Sequence, residues 1–306
     1  MLTFILRRML LLVPVLFGVS VVTFLMVRLV PGDPIQIMFG HSPSGVDIKA
    51  LRHQYGLDAP LPVQYVLYII NVLHGDLGSS IRSGRPVIFE IADRFPATLE
   101  LTLAAMGLAI VLGVTTGVLA AGSRSARLDA VLMLGATLGI SLPSFWLGLL
   151  LIYFFALQLG WFPVLGTVTL QGLVLPAVTL ALPAAAVLAR VTRSGLVEVL
   201  RQHYIRTARA KGLAWARIVG YHAVRNGLIV VLTIVGLQFG SLMAGSIIVE
   251  SVFARPGLGS LVVGAIQARD YPEIQGIVLV FAAFYVLTNL VVDVLYSLIN
   301  PRIRVS

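Results

Sequence analysis

Long uncharged stretches alternate with short charged ones along most of the chain. The uncharged stretches are residues 9–27, 101–123, 130–189, 226–249 and 274–292. A membrane-spanning helix needs about 20 mainly apolar residues, so the stretch at 130–189 is long enough for two. Glycines, a proline and interfacial aromatic residues within residues 157–172 mark the connection between those two. The pattern therefore predicts six membrane-spanning helices, near residues 9–30, 97–122, 130–157, 173–192, 227–250 and 274–299.

The composition agrees with a membrane protein. Of the 306 residues, 58% are hydrophobic and 11% are charged, whereas a soluble domain has about 25% charged residues. Too few charges remain to cover a soluble surface, so we expect an all-α membrane protein in a lipid bilayer. The chain has no cysteine, which excludes disulfides and thiolate metal sites. The formal net charge is +9, but the positive charges lie at the ends of predicted spans, so we expect no nucleic acid partner.

The distribution of arginine and lysine predicts the orientation. If there are six spans, four groups of basic residues fall on one side: before the first span, between the second and third, between the fourth and fifth, and after the sixth. They include Arg7, Arg8, Arg124, Arg127, residues 193–226, Arg302 and Arg304. Cytoplasmic segments carry an excess of positive charge, so we expect both termini in the cytoplasm.

The basic segment, residues 193–226, is the most charged part of the chain and has the composition of a loop. Together with Arg190, which lies just before it, the segment contains eight cations, and Glu198 is the only acidic residue among them. The cations are Arg190, Arg193, Arg201, Arg206, Arg209, Lys211, Arg217 and Arg225. Taken by its residues alone, the segment is either a patch for anionic lipids or a docking site for another protein.

Rows of small residues recur at four-residue spacing in three of the spans. The rows are Gly113, Gly117 and Ala121; Gly135 and Gly139; and Gly236, Gly240 and Ala244. Such rows allow close helix contact in lipid, either inside one chain or between subunits, and the row in the fifth span is the best candidate for a subunit interface. Asp293 is the deepest carboxylate; we expect it to pair with a cation such as Arg190 rather than to belong to a proton relay.

Motifs for catalysis are absent from the sequence. There is no G-x-x-x-x-G-K-[ST] phosphate-binding loop, no H-E-x-x-H and no G-x-S-x-G. The five histidines do not have metal-ligand spacing. We therefore expect no catalytic residue, no metal site and no cofactor bound by this chain.

Several motifs together resemble one family. The basic segment contains RTARAKGL followed by H-x-x-R-N, and other stretches are FILRR, VPGDP, GLDAPLPVQY, HGDLGSS, PATLELT, FARPGLG, RDYPEIQG and NLVVDVLYSLINPRIR. The chain resembles the permeases of ABC importers, specifically the dipeptide, oligopeptide, nickel and glutathione branch. It departs from the general E-A-A-x-x-x-G pattern, because Arg206 and Thr207 replace the glutamate and one alanine. Val230 also stands where this branch often has proline.

The resemblance implies a type I ABC-importer permease in a bacterial inner membrane. Such a permease forms a pathway with a second, homologous permease, two ABC ATPases bind ATP and Mg, and an external substrate-binding protein delivers cargo. The cargo would be a peptide or a related small solute, including glutathione or a nickel chelate. The apolar pattern, together with this resemblance, divides the chain into three parts. Residues 1–30 are the N-terminal segment and first span, and residues 97–306 are the permease core. Residues 31–96 are an external cap, in which the spacing of apolar residues predicts short helices near 46–55, 63–73 and 87–95.

The same resemblance assigns roles to particular residues. Seven residues would contact the ATPase: Arg206, Thr207, Ala208, Arg209, Ala210, Lys211 and Gly212. Of these, Ala208, Ala210 and Gly212 would give the helix a low-relief surface that allows close contact. Candidates for the pathway or the permease interface are Gly236, Gly240, Ala244 and Glu250. Candidates that face the binding protein are Pro256 and Gly257.

Two other functions compete with this interpretation. A secondary transporter would favour inverted repeats and helices broken near the midplane, but the sequence has no clear internal repeat. A structural membrane scaffold would carry no solute. The sequence does not identify the cargo.

Overall fold

A computed structural model describes residues 2–29, 58–164 and 168–299, and most of them are helical. The helices are α1 (Leu2–Leu29), α2 (Leu61–Leu73), α3 (Val87–Gly122), α4 (Ala126–Ser141), α5 (Ser144–Leu151), α6 (Leu170–Leu200), α7 (His203–Ala210), α8 (Trp215–Arg217), α9 (Val224–Val252), α10 (Leu258–Ala268) and α11 (Tyr271–Ile299). Two π-helical segments, Ile152–Gln158 and Ile218–Ala223, continue α5 and α8. The predicted helix near 46–55 and the side chain of Asp293 lie outside the described residues.

Four helices of the described part are long and apolar enough to cross a membrane. They are α3, α6, the Val231–Val252 part of α9 and the Tyr271–Val292 part of α11. A fifth span results if α4 and the bent helix that follows it cross together. The searched part of α1, Leu12–Met26, is apolar but shorter. The nearly all-helical membrane fold is confirmed, and the count of six remains a prediction.

The predicted span at 130–157 is not one straight helix. It breaks at Leu142, whose backbone is extended with φ −83° and ψ 126°, and the two halves are bent by 103°. The cause is Pro143, because proline disfavours helical geometry in the residue before it and lacks an N–H for the helix ladder. Pro176 and Pro183 lie inside the continuous helix α6.

The chain divides into two compact units, and the first comprises Met1–Pro96 and Leu261–Val286. Within it, α2 packs on α1 through aromatic rings, with Tyr65 5.2 Å from Phe24 in an edge-to-face arrangement. The Tyr65 hydroxyl also lies 2.7 Å from Ser20 Oγ. These contacts place the described part of α2, which was predicted near 63–73, against the apolar surface of α1.

Asp270 organises the other side of this unit. One of its carboxylate oxygens accepts hydrogen bonds from Ser80 Oγ at 2.6 Å and from the Arg82 backbone N–H at 3.0 Å. The other oxygen accepts from the backbone N–H of Glu273 at 3.3 Å, in the first turn of α11. A carboxylate here satisfies a donor that the helix itself leaves unpaired.

The second unit comprises Ala97–Ser260 and Leu287–Ser306, with α6 at its centre. α3 lies directly on α6: a Cβ added to Gly113 would lie 2.6 Å from Leu188 Cβ, and one added to Gly117 would lie 2.5 Å from Thr192 Cβ. Leu188 and Thr192 are fully buried. The small-residue row of the second predicted span therefore serves packing within the chain, which was one of its two interpretations.

Candidate functional site

The basic segment is mostly helical rather than an irregular loop. α6 extends to Leu200, eight residues beyond its predicted end, and α7 follows over His203–Ala210. α7 ends where Gly212 adopts φ +75°. Leu213 N–H donates to Ala208 O at 3.3 Å and Gly212 N–H donates to Arg209 O at 2.9 Å. These are the two hydrogen bonds of a Schellman cap, so glycine is required here by the left-handed backbone.

α7 has an inner and an outer face. Ile205 and Ala208 are buried and pack with Ile218, with Leu213 against the same cluster. The outer face is exposed and consists of Arg206, Thr207, Arg209, Ala210, Lys211 and the capping Gly212. The side chain of Ala208 points inward and anchors the helix to its own chain, and its expected contact with a partner stays a prediction.

Trp215 fastens the basic segment to the end of α3. Its indole Nε1–H donates to the backbone carbonyl of Gly122 at 2.7 Å. The guanidinium carbons of Arg209 and Arg124 lie 4.3 Å and 5.8 Å from the centroid of the Trp215 ring, within cation–π distance. The sequence analysis missed this residue, and the only signal was a lone tryptophan just after the cap of α7.

Two further contacts hold the segment in place. Arg193 binds Asp129 through two parallel contacts, Nε to Oδ1 and Nη2 to Oδ2, each 2.5 Å. This fork geometry joins α6 to the first turn of α4, so Glu198 is not the only acid that opposes the basic segment. Asn226 Nδ2 donates to Tyr204 Oη at 2.9 Å and connects α9 with α7.

Glu250 organises a second feature, the outer turn, defined as residues 253–260. Its side chain is fully buried. Oε1 accepts from Thr98 Oγ1 at 2.7 Å, and Oε2 accepts from the backbone N–H groups of Gly259 at 2.7 Å and Ser260 at 3.2 Å. Thr98 Oγ1 in turn accepts from Leu258 N–H at 2.8 Å. Glu250 was predicted as a pathway or interface residue, but its carboxylate is occupied by α3 and the outer turn of its own chain.

The residues expected to face a binding protein differ in exposure. Gly257 is buried, and a Cβ there would overlap the Glu250 carboxylate, so its expected role toward a binding protein stays a prediction. Pro256 is half-buried, and its predicted role stands as a prediction. Arg255 is the largest fully buried side chain described, and its Nη2 lies 2.5 Å from Glu100 Oε2. The outer turn is thus held to α3 by an ion pair as well as by Glu250.

The small row of the fifth predicted span splits between two environments. A Cβ on Gly236 would overlap the side chain of Val292 in α11, so the space beside it is filled within the chain. Gly240 is buried as well, whereas Ala244 is exposed. For Gly236 the packing interpretation therefore replaces that of a permease interface. Ala244 is the member of this row with a surface open to a partner.

Comparisons with known proteins identify the family. Residues 113–305 match the family model described as binding-protein-dependent transport system inner membrane component, and residues 1–102 match the model of its N-terminal region. The glutathione transport system permease protein GsiC of Escherichia coli strain K12 is 48% identical over 304 residues, which cover 99% of each chain. The protein of the same name from Salmonella choleraesuis is 49% identical over 304 residues, again 99% of each.

Two solved structures share the fold. A chain of the inward-facing MetNI methionine ABC transporter gives a TM-score of 0.60 at 21% identity, covering 69% of this chain and 97% of that one. A chain of an amino acid ABC transporter crystallised with histidines gives 0.52 at 20% identity, covering 70% and 94%.

The fold and the basic segment belong to a multi-spanning inner-membrane transport protein of the ABC class. The chain is a member of the binding-protein-dependent transport system inner membrane component family. It is a permease subunit of an ABC importer and not a secondary transporter, which confirms the resemblance seen in the sequence.

Proposed function

We propose that this permease imports glutathione or a related small peptide. The support is the 48% identity, over nearly the whole of both chains, to a glutathione transport system permease. Such a permease works with a second, homologous permease and with two ATPases that hold ATP and Mg and carry out hydrolysis. An external binding protein delivers the solute. This chain then contributes the pathway and the coupling surface and binds no cofactor itself.

The coupling surface is the outer face of α7. The observation that carries this proposal is the division of α7 into an anchored and a free face: Ile205 and Ala208 are buried, while Arg206 and Lys211 are exposed. Cations on such a face can form charge-assisted hydrogen bonds with acidic or carbonyl groups of an ATPase. Because the inner face and the Schellman cap fix the helix, a push on α7 moves the membrane helices rather than bending a loop.

The proposed topology has six spans with both termini in the cytoplasm. The spans are α1, α3, the bent pair that begins with α4, α6, α9 and α11. Contacts support the pairing of their ends. Trp215 of the basic segment contacts Gly122 at the end of α3, just before Arg124. On the opposite side of the same helix's apolar stretch, Thr98 contacts Glu250 near the end of α9. The end rich in arginine is the cytoplasmic one by the positive-inside rule.

Charge reversal on α7 tests the coupling surface. In Arg206→Glu, we expect the ATPases to be lost from the purified transporter and uptake to stop, since the variant places negative charge on an exposed cationic face. Arg127→Glu is the matched control, because Arg127 is also exposed and lies on the same predicted side. If Arg206→Glu retains its ATPases and normal uptake, α7 is not the coupling surface.

The substrate is tested with the reconstituted transporter. Proteoliposomes that contain the permease pair and the ATPases, supplied with the cognate binding protein, are given labelled glutathione, a dipeptide or a nickel chelate in separate samples. The proposal expects ATP-dependent uptake of glutathione or the dipeptide. Uptake of nickel chelate alone would contradict it and would leave the assignment as an ABC importer intact.

A further inference from the structure

α3 carries two hydrogen-bonded contacts that lie far apart along the helix, one at its last residue and one at Thr98. At the inner end, the carbonyl of Gly122 accepts from Trp215 Nε1 at 2.7 Å. Toward the outer end, Thr98 Oγ1 donates to Glu250 at 2.7 Å and accepts from Leu258 N–H at 2.8 Å. One helix therefore touches the basic segment with its last residue and the outer turn through Thr98, about a third of the way along its 36 residues.

The part of α3 between these contacts is continuous. Pro96, the proline inside α3, lies before Thr98, so no proline interrupts the helix between the two contacts. The 25 residues from Thr98 to Gly122 are separated by 24 helical steps, which correspond to a length of about 36 Å at 1.5 Å per step. A hydrogen-bonded helix of this length resists bending, so a displacement at one end reaches the other.

The covalent route from α7 to the outer turn is less direct. It passes through the turn after Gly212, the three-residue helix α8 and the π-helical segment Ile218–Ala223 before α9 begins. Short helices and π-helical turns interrupt the regular helix ladder. The contact of Trp215 with α3 bypasses the π-helical segment.

We propose that Trp215 is a positioning residue that transmits movement of α7 to α3, and that α3 carries it to Thr98, Glu250 and the outer turn. The proposal rests on the proposed function, in which an ATPase moves α7. It adds a second mechanical path beside α9. Trp215 contacts neither the ATPase nor the solute in this scheme, and its role is to keep uptake tied to ATP hydrolysis.

The test uses Trp215→Phe in the complete transporter. Phenylalanine keeps a ring for Arg209 to stack on but has no N–H to donate to Gly122. We expect uptake per ATP hydrolysed to fall about two- to tenfold, the factor by which one hydrogen bond of ordinary strength biases an equilibrium. ATPase co-purification stays unchanged. Trp161→Phe is the control, since Trp161 is exposed and far along the chain from α3.

Two results of this test overturn the proposal. Wild-type uptake per ATP in Trp215→Phe would show that the contact transmits nothing. Loss of the ATPases from that variant would show that Trp215 acts in docking instead. The proposed function has its own test: normal ATPase binding and normal uptake in Arg206→Glu would contradict it, whatever the result for Trp215→Phe.

A double-mutant cycle tests the path along α3. Thr98→Val removes the hydroxyl, while Thr98→Ser keeps it and is expected to preserve the uptake ratio if the protein inserts normally. Changes at distant sites without shared partners normally add. If Trp215 and Thr98 lie on one path, the double variant falls no further than the more affected single variant. The path is overturned if the double variant loses uptake per ATP by the product of the two single losses. It is also overturned if Thr98→Ser lowers uptake per ATP as much as Thr98→Val does.

Discussion

Replacing the Glu250 carboxylate with an amide is expected to loosen the outer turn. Glu250 accepts three hydrogen bonds, from Thr98 Oγ1 at 2.7 Å, Gly259 N–H at 2.7 Å and Ser260 N–H at 3.2 Å. In Glu250→Gln, one oxygen becomes an NH₂ group that cannot accept. If the remaining oxygen accepts from Gly259 and Ser260, the hydroxyl of Thr98 loses its acceptor. If the remaining oxygen accepts from Thr98 instead, the backbone N–H groups of Gly259 and Ser260 both lose theirs.

The magnitude follows from the number of donors left without a partner. A buried donor without an acceptor costs about 1–3 kcal/mol, so Glu250→Gln should destabilise the turn by about that amount. Because about 1.4 kcal/mol is a factor of ten in an equilibrium, local opening should rise about tenfold to a hundredfold. Glu250→Ala orphans all three donors and removes packed atoms, so its effect should be larger.

Hydrogen–deuterium exchange of the detergent-solubilised protein measures this opening. The amides of Gly259 and Ser260 should exchange faster in Glu250→Gln, while amides in the middle of α6, such as that of Ala184, keep their protection and report on global stability. Equal exchange at Gly259 and Ser260 in wild type and variant would refute the reasoning. Equal acceleration in α6 would mean that the whole protein, not the turn, is destabilised.

Three further outcomes follow from the packing and the topology. Gly117→Leu should prevent close packing of α3 on α6 and lower the yield of folded protein. Gly107→Leu should not, because no atom of a neighbour lies within 4 Å of a Cβ at that position. Size-exclusion chromatography of both variants measures the difference in yield. Gly212→Ala should destabilise the end of α7 by about 1 kcal/mol, since a non-glycine residue must adopt a left-handed backbone, and faster exchange of the Leu213 amide measures it. In this cysteine-free chain, a cysteine placed at His203 should resist an impermeant reagent added from outside while one placed at Arg82 reacts, and external labelling at position 203 would reverse the proposed orientation.

Helix content could be predicted from the sequence because it depends on the length of apolar stretches. The bounds were less accurate. The short helix near 87–95 and the second span proved to be one helix, Val87–Gly122, because Pro96 does not end it. Pro143 accompanies the break at Leu142, but Pro176 and Pro183 stay within α6, so a proline alone does not say whether a span breaks.

The inward orientation of the Ala208 side chain could have been predicted from the sequence. Ile205 and Ala208 are three residues apart, the spacing of one helix face, and charged residues surround both. That pattern predicts an inner apolar face once the segment is taken as helical. The resemblance instead placed all seven residues 206–212 against the ATPase without dividing the helix into faces, so Ala208 was assigned to the partner-facing side.

The roles of Trp215 and Glu250 were beyond sequence analysis for a different reason. Their partners are largely backbone groups: the carbonyl of Gly122 and the N–H groups of Gly259 and Ser260. Every residue type offers such groups, so no pairing of residue types marks the contact, and Thr98 is 152 positions from Glu250. A buried carboxylate also requires that its oxygens be satisfied, and here the outer turn supplies the donors. The buried side chain of Glu250 therefore fixes the conformation of the turn through its hydrogen bonds. A search for solute-binding residues in this permease should begin with side chains that make no such contacts within the chain.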